Sequence, residues 1–320
     1  MIELSNSTKT DTLVMQAIRG IKKSRSGSAK TRHNHIKEAR RFVKTIRELG
    51  YGVKRWKNVT NLHIQKAVNK WKEEGLQAAT IKEYLSGVRT VCRIYGNERI
   101  KPDNSQFGIP NRVFVDNRDK SIPQDVFQKT VTELKQSNNS DDKRVAAQLQ
   151  LQRYLGLRVE ESCKFNAHQA AMTGGRVFIQ HGTKGGRERI INELTEKGKE
   201  AIEFAKSISG INNLIPNDHT EKQWIQKYYR ITRAKGISKK ECGTSSHGCR
   251  HAYAQDRYAE ITGFTAPCMF ESKKAFRKNA TTIAGENWEK LNQDARQIIK
   301  AELGHGPDRD DVVSQYLGAT

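Results

Sequence analysis

The sequence predicts a mainly α-helical protein with one small β-hairpin, an α+β fold divided between two domains. Apolar residues recur every three or four positions over most of the chain, and one short segment alternates apolar and polar residues instead. The length of 320 residues exceeds that of one typical domain. We therefore expect a flexible N-terminus at 1–10, a helical domain at 11–97, a linker at 98–120 and a second domain at 121–320.

The helical domain is predicted from its periodicity. In residues 31–49, Ile36, Val43 and Ile46 fall on one helix face, and Gly50 follows as a stop signal. A second helix is expected around residues 62–71 for the same reason.

The last helix of this domain has a start signal of its own. Thr80 and Glu83 have the spacing of a capping box, in which each side chain binds a free backbone amide of the first turn. Apolar residues then continue to Tyr95, and Gly96 closes the helix. This pattern predicts Thr80 as the N-cap residue.

The second domain combines helices with the only strand signal that we find. Pro123 suits the first turn of a helix, and helices are expected at about 123–136 and 141–155. The segments 176–180 and 188–192 flank Thr-Lys-Gly-Gly, where the glycines permit positive φ. This arrangement predicts a β-hairpin, with helices again to the end of the chain.

The charge of the chain limits its partners. There are 57 Lys and Arg residues against 35 Asp and Glu, a formal net charge of +22, and the excess is largest in the first hundred residues. No run of 18 apolar residues and no signal peptide is found, so a membrane is the weakest candidate partner. Nucleic acid is the polyanion that best fits such a charge, although a merely soluble basic protein would have it too. Five scattered cysteines without a secretion signal suggest reduced thiols in the cytoplasm.

Four short segments of the second domain contain candidate catalytic residues. Each residue alone has an ordinary explanation: Arg158 as a surface partner of Glu161, Lys184 as a turn residue, and Tyr316 as a packing anchor. Their order is more specific than any one of them. In chain order the segments are Gly-Leu-Arg158 with Glu161 three residues on, Lys184 in the hairpin, His247-x-x-Arg250, and Leu-Gly-His305 followed by Tyr316.

This succession resembles the tyrosine recombinase (phage integrase) family over residues 119–320, and the basic helical first domain is similar to that family's core-binding domain. The resemblance implies a catalytic domain and a core-binding domain that form a C-shaped clamp on DNA. It implies a site-specific recombinase that integrates or excises a mobile element without metal, ATP or other cofactor. The implied partners are double-stranded DNA attachment sites, a homotetramer on DNA and accessory DNA-bending or directionality proteins, with the protein at the nucleoid of a bacterium or in a phage-infected cell.

By the same resemblance, Tyr316 is the nucleophile and forms a 3′-phosphotyrosyl linkage. Arg158 and Arg250 would bind the phosphate oxygens, where charge builds up in the transition state. A guanidinium suits this role because it is a planar donor that stays protonated.

Four further residues receive supporting roles from the resemblance. His247 would act as general base and acid, and His305 would hydrogen-bond a phosphate oxygen. Lys184 would give a proton to the leaving 5′ oxygen. Glu161 would hold the arginine and histidine side chains in place.

The chain departs from the family pattern in two spacings. Arg250 and His305 lie 55 positions apart, about twice the usual separation, and His305 and Tyr316 lie 11 apart, which is slightly long. The extra segment at about 262–300 contains four clustered cations and an amphipathic pattern. We interpret it either as an added DNA or subunit contact or as a structural elaboration. Tyr253 and Tyr258 are rivals of Tyr316 by residue type. We expect both to lie on the helix that follows His247, with their side chains packed against the rest of the protein.

Other functions remain open at this stage. Cys242, His247, Cys249 and His251 fall close together, but their spacing fits no usual zinc site, so no metal is expected. A type IB topoisomerase would use nearly the same catalytic residues. A catalytically inactive DNA-binding accessory factor would share the charge and the fold but not the reaction.

Overall fold

The computed structural model describes residues 11–111, 115, 117–170, 175–306 and 308–320. The chain divides into two compact units, Met1–Val113 and Phe114–Thr320. The flexible segment expected at residues 1–10 lies outside the described residues.

The first unit is helical, as predicted. Its helices are α1 (Thr12–Ser24), α2 (Ala29–Glu48), α3 (Asn61–Glu73) and α4 (Ala78–Ile94). The apolar stripe of α2 faces the core, where the Phe42 ring lies 5.8 Å from the ring of Trp56 and 6.5 Å from that of Trp71. All three rings are fully buried, so aromatic packing and apolar burial together stabilise this unit.

The predicted start of α4 is wrong. The helix begins at Ala78 with Gln77 as its N-cap, so Thr80 lies inside the first turn and caps nothing. Two alanines precede Thr80, and alanine has the highest helix propensity. Leu76 packs against the core just before them, which fixes the chain early enough for the helix to start there.

The segment after α4 packs on the first unit for much of its length. The Asn97 side chain donates hydrogen bonds to the carbonyls of Trp56 and Val59, and Phe107 and Ile109 are buried in the same core. Residues 98–111, which the sequence suggests as part of a linker, therefore contribute apolar side chains to this core.

In its described residues, the second unit contains nine helices and one small sheet. The helices are α5 (Gln124–Gln136), α6 (Ser140–Tyr154), α7 (Val159–Lys164), α8 (Glu196–Ser209), α9 (Glu221–Ala234), α10 (Gly248–Thr262), α11 (Lys273–Ala284), α12 (Trp288–Glu302) and α13 (Asp310–Leu317). The predictions for α5 and α6 are confirmed to within one residue. Helix α6 is buried along most of its length and packs against α5, α8 and α10, so it forms the centre of the unit.

The predicted hairpin is confirmed. Strands β1 (Val177–Ile179) and β2 (Arg189–Ile191) pair antiparallel, with Ile179 opposite Arg189. Gly185 and Gly186 in the connecting turn have φ values of 74° and 71°, a conformation that other L-residues seldom adopt.

The extra segment before His305 consists of two helices, α11 and α12, in the same core cluster as α13. Helix α12 contacts both α10 and α13. The added segment is thus part of the packing that positions the last helix of the chain. No helix in the described residues is long and apolar enough to cross a membrane.

Candidate active site

Arg158 is held at the start of α7 by a residue on its own helix. It is the N-cap residue, and its backbone N–H donates to Glu161 Oε2 at 2.7 Å while its guanidinium donates to Glu161 Oε1 at 2.6 Å. Gly156 comes just before, with φ of 61°, and a Cβ there would lie 2.5 Å from the Tyr253 ring. Glycine is therefore needed for the chain to turn into α7 at this point.

Glu161 is the centre of a buried cluster of charges. Its side chain is fully buried and accepts two hydrogen bonds from Arg189, at 2.7 and 2.8 Å. The Arg250 guanidinium lies 3.8 Å from Glu161 Oε2. Burial alone would raise the pKa of this carboxyl, but Arg189, Arg250 and Arg158 lower that pKa to about 2. Glu161 is therefore ionised at neutral pH, and it fixes three cations.

Arg189 is a site residue that the sequence interpretation missed. It lies on β2 with a side chain only 2% exposed, on the same face as the buried Ile191. The neighbouring Ile190 is exposed. The alternation along this strand places an arginine on the buried face of a hairpin, and a buried arginine needs an acidic partner. This alternation is the sequence signal from which Arg189 could be predicted as a buried residue with an acidic partner.

Arg250 lies on α10 and is completely buried. Its guanidinium donates to the backbone carbonyls of Gly156 and Leu303, and its Nε donates to the Tyr316 hydroxyl at 3.2 Å. Burial lowers the pKa of Arg250 to about 10, so the side chain keeps its charge at neutral pH. The Leu303 carbonyl also accepts from Arg158 at 3.2 Å, so one backbone oxygen fixes the spacing of the two arginines.

Tyr316 is carried by the predicted terminal helix α13 and is 6% exposed. Its hydroxyl is directed to Arg250, and its ring is surrounded by histidines: the ring centroids of His251, His305 and His247 lie 4.6, 5.9 and 6.0 Å away. The structure therefore places Tyr316 against three other members of the predicted set, Arg250, His247 and His305.

The three histidines are neutral at physiological pH. Burial, with Arg250 nearby, lowers the pKa of His305 to about 3. His247 keeps an exposed edge as the N-cap of α10, and burial of its inner side with the neighbouring Arg250 and Arg158 lowers its pKa to about 4. A neutral imidazole can accept a proton, so His247 combines solvent access with the protonation state of a general base.

From its sequence position, His251 is only a possible zinc ligand. It is buried, its ring is the nearest of the three to the Tyr316 ring, and its Nδ1 has no hydrogen-bond partner in the described part of the chain. Burial lowers its pKa to about 3. Across the described ranges, no three His, Cys, Asp or Glu side chains are grouped as metal ligands.

Lys184 is the one predicted site residue that the structure leaves apart. It is exposed in the hairpin turn and forms no hydrogen bond or ion pair with any described residue. The rival tyrosines behave as expected: Tyr253 and Tyr258 are buried, and their hydroxyls donate to Glu302 and Asn292, each at 2.9 Å.

The arrangement can bind an anion and attack it. Arg158, with a side chain 21% exposed, and His247 line the accessible side of the cluster, and Arg250 lies behind them against the phenol. Two fixed guanidiniums would stabilise charge on a phosphate more strongly than mobile ones, because no reorganisation is needed during reaction. The phenol supplies an oxygen nucleophile beside them.

Comparisons with known proteins identify the family of the chain. A model of the integrase family matches residues 113–256, and a model of the phage integrase N-terminal domain matches residues 12–101. The first match contains Arg158, Lys184 and Arg250, while Tyr316 lies beyond it. Among curated proteins, the tyrosine recombinase XerD of Oceanobacillus iheyensis is 25% identical over 211 residues, 62% of this chain and 69% of that protein.

Solved structures show a similar fold. A lambda integrase tetramer bound to a Holliday junction matches with a TM-score of 0.60 and 18% identity, covering 95% of this chain and 76% of that one. The Tn1549 transposon integrase in complex with transposon right-end DNA matches with a TM-score of 0.62 and 12% identity, covering 96% and 95%.

Proposed function

The chain belongs to the phage integrase family of tyrosine recombinases, enzymes that cleave and rejoin DNA strands at specific sites, and we propose that Tyr316 is its nucleophile. The observation that carries this proposal is the hydrogen bond of 3.2 Å from Arg250 Nε to the Tyr316 hydroxyl. It brings a phenol from α13 into a buried cluster with a guanidinium from α10, 66 positions away in the chain.

In the proposed reaction, the Tyr316 oxygen attacks a DNA phosphodiester and forms a P–O bond to the 3′ phosphate. The bond from phosphorus to the 5′ oxygen breaks. His247 takes the phenolic proton, which its neutral state permits, and Lys184 gives a proton to the departing 5′ oxygen. Arg158, Arg250 and His305 hydrogen-bond the phosphate oxygens.

The phosphotyrosyl bond conserves the energy of the broken phosphodiester. A 5′ hydroxyl from another strand can therefore attack it in the reverse reaction, which needs neither ATP nor a metal. Glu161 supports this chemistry by holding Arg158 in position through two hydrogen bonds.

We propose that the first unit supplies much of the DNA affinity. On α2, Lys30, Lys37 and Arg40 lie on one side of the helix and are all exposed, as expected for contacts to phosphates. The partners would be double-stranded attachment sites of a mobile element, with the enzyme acting as a homotetramer, together with accessory DNA-bending or directionality proteins. The place of action would be the cytoplasm of a bacterium, at the nucleoid.

The test uses nicked duplexes whose sequence is taken from the DNA on either side of the gene that encodes this protein. A nick beside the cleavage position releases a short fragment, so the covalent intermediate accumulates. We expect wild-type protein to form a covalent protein–DNA adduct in EDTA and Tyr316→Phe to form none. Tyr258→Phe, which removes a hydroxyl from the same core cluster, is the matched control and should still form the adduct.

Each alternative result has a definite meaning. An adduct with Tyr316→Phe would show that another residue is the nucleophile. Failure of the wild type on every duplex would favour a DNA-binding accessory factor. Relaxation of supercoiled DNA without exchange between two sites would favour a topoisomerase.

A further inference from the structure

Helix α11, in the extra segment between Arg250 and His305, is firmly packed on one side. The Phe276 ring is fully buried, with the rings of Phe270, Trp288 and Phe264 at 5.7, 5.8 and 6.0 Å. This contact fixes the rotation of the helix about its axis. The direction of its outer face is therefore set by the core.

The outer face of α11 is uniformly cationic. The helix contains four basic residues and no acidic one, and all four are exposed: Lys273, Lys274, Arg277 and Lys278. None of them forms an ion pair with a described acidic side chain. At 100° per residue they span one side of the helix, with the Thr281 hydroxyl at its centre and the exposed Ile283 outside it.

This arrangement is unfavourable for the isolated protein. Lys273 with Arg277, and Lys274 with Lys278, are like charges one turn apart, and each such pair destabilises a helix by about 0.2–0.5 kcal/mol. The neighbouring α12 contains three acidic and three basic residues, so the excess on α11 is not a general property of the segment. A polyanionic partner would remove the repulsion.

The cationic face lies beside the helix that carries Tyr316. Lys273 Nζ donates to the main-chain oxygen of Thr320 at 3.0 Å. Arg277 lines the same cleft as Ser314 of α13. The cations are therefore attached to the part of the molecule that positions the nucleophile.

We infer that the outer face of α11, formed by Lys273, Lys274, Arg277 and Lys278, binds the phosphate backbone of the DNA duplex whose strand Tyr316 attacks. This inference rests on the proposed function and adds a second anchoring point within the catalytic unit. DNA is favoured over an acidic protein surface because the face presents cations and a hydroxyl without any large apolar side chain, which suits a sugar–phosphate backbone.

The experiment measures how DNA affinity depends on salt. A short fluorescent duplex is titrated with wild-type protein, Lys274→Gln, and Lys274→Gln/Lys278→Gln over a series of salt concentrations. Each lost phosphate contact should reduce the slope of log K against log salt by about 0.9, so the double variant should lose roughly two units. Lys290→Gln, an exposed lysine on α12 of the same segment, is the matched control and should keep the wild-type slope.

The same proteins are tested for adduct formation on nicked duplexes at saturating concentration. We expect the double variant to form as much adduct as wild type once bound, because neither lysine contacts the Tyr316 cluster. An unchanged salt slope with normal adduct formation would overturn the inference and leave the proposed function intact. Loss of self-association in sedimentation with an unchanged slope would overturn it in favour of an acidic surface on a second copy. A wild type that forms no adduct would instead count against the proposed function, while the salt slopes would still decide where DNA binds.

Discussion

The two sides of the proposed catalytic site are held in different ways. Glu161, Arg250 and Tyr316 are buried, and hydrogen bonds and ion pairs join them across three separate helices and a strand. Lys184, by contrast, is exposed in a glycine-containing turn without a partner in the described residues. Contacts within the protein order the buried side of the site. The position of Lys184 on the exposed side would be set by the bound substrate.

The difference follows from the cost of burying charge. An ion in a protein interior must have fixed partners or its burial opposes folding, so the arginine cluster is ordered before any DNA arrives. An exposed lysine keeps its water and its rotamer freedom. In the proposed reaction, the position of Lys184 near the leaving group would depend on the bound nucleic acid, and proton donation would thereby be coupled to binding.

The largest effect on stability is expected for Glu161→Gln. Glutamine keeps the shape of the side chain but leaves Arg189 and Arg250 buried without a counter-ion. Breaking a buried ion pair on one side costs about 3–5 kcal/mol, measured by denaturant unfolding. Glu160→Gln is the matched control, because Glu160 is exposed and pairs only with Lys164 on the surface. It should change stability by no more than about 1 kcal/mol. Equal effects of the two substitutions on stability would contradict the view that the buried cluster around Glu161 is ordered by the protein alone.

The same carboxylate predicts an acid dependence of stability. The pKa of Glu161 falls from 4.5 to about 2 on folding, so the stability that it contributes is complete above pH 4.5 and is lost as the pH falls towards 2. Unfolding free energies measured across this range should decline more steeply for wild type than for Glu161→Gln. Parallel curves for the two proteins would rule out this carboxyl as a source of the acid dependence.

An intermediate effect is expected for Arg296→Gln. Arg296 on α12 donates to the Gly318 carbonyl at 2.7 Å and to Ser314 Oγ at 3.3 Å, so it anchors the end of α13 next to Tyr316. Losing charge-assisted hydrogen bonds of this kind costs roughly 1.5–3 kcal/mol. Adduct formation should slow because Tyr316, the proposed nucleophile, is less firmly held, while DNA affinity stays unchanged.

Arg309→Gln is the control for this anchor. Arg309 pairs with Asp311 at the exposed start of the same helix, and its loss should change stability by less than about 1 kcal/mol. If Arg309→Gln slows adduct formation as much as Arg296→Gln, then the anchoring at the end of α13 has no special role.

Candidate site residues that stand in local motifs could be selected from the sequence alone. Arg158, His247 and Arg250 each stand in a short pattern with its own spacing, and the structure brings these patterns together around Tyr316. The hairpin and the helices were predictable for a similar reason, because periodicity and glycine position are local properties.

Residues whose role depends on distant partners were not predictable in this way. Arg189 binds Glu161 across 28 positions, and Arg296 reaches Gly318 across 22; neither stands in a recognisable motif. His251 follows Arg250 directly, yet its packing on Tyr316 requires α13 to be in place. The N-cap at Thr80 failed because tertiary packing of Leu76 outweighed a local capping signal.

The smallest effect on stability is expected for Lys184→Ala. The same substitution should have a large effect on the reaction rate. The side chain has no partner to lose, so the free energy of unfolding should change by less than about 0.5 kcal/mol. Adduct formation should slow by about 10²–10⁴, the usual contribution of a general acid. Lys184→Arg keeps the positive charge but does not readily release a proton, and it should be nearly as slow.

A duplex in which the 5′ bridging oxygen is replaced by sulfur, a better leaving group, should restore the rate of both variants because it needs no proton. Failure of that substrate to restore the rate would assign Lys184 to DNA positioning, and a loss of several kcal/mol of stability would show that this side of the site is also built into the fold.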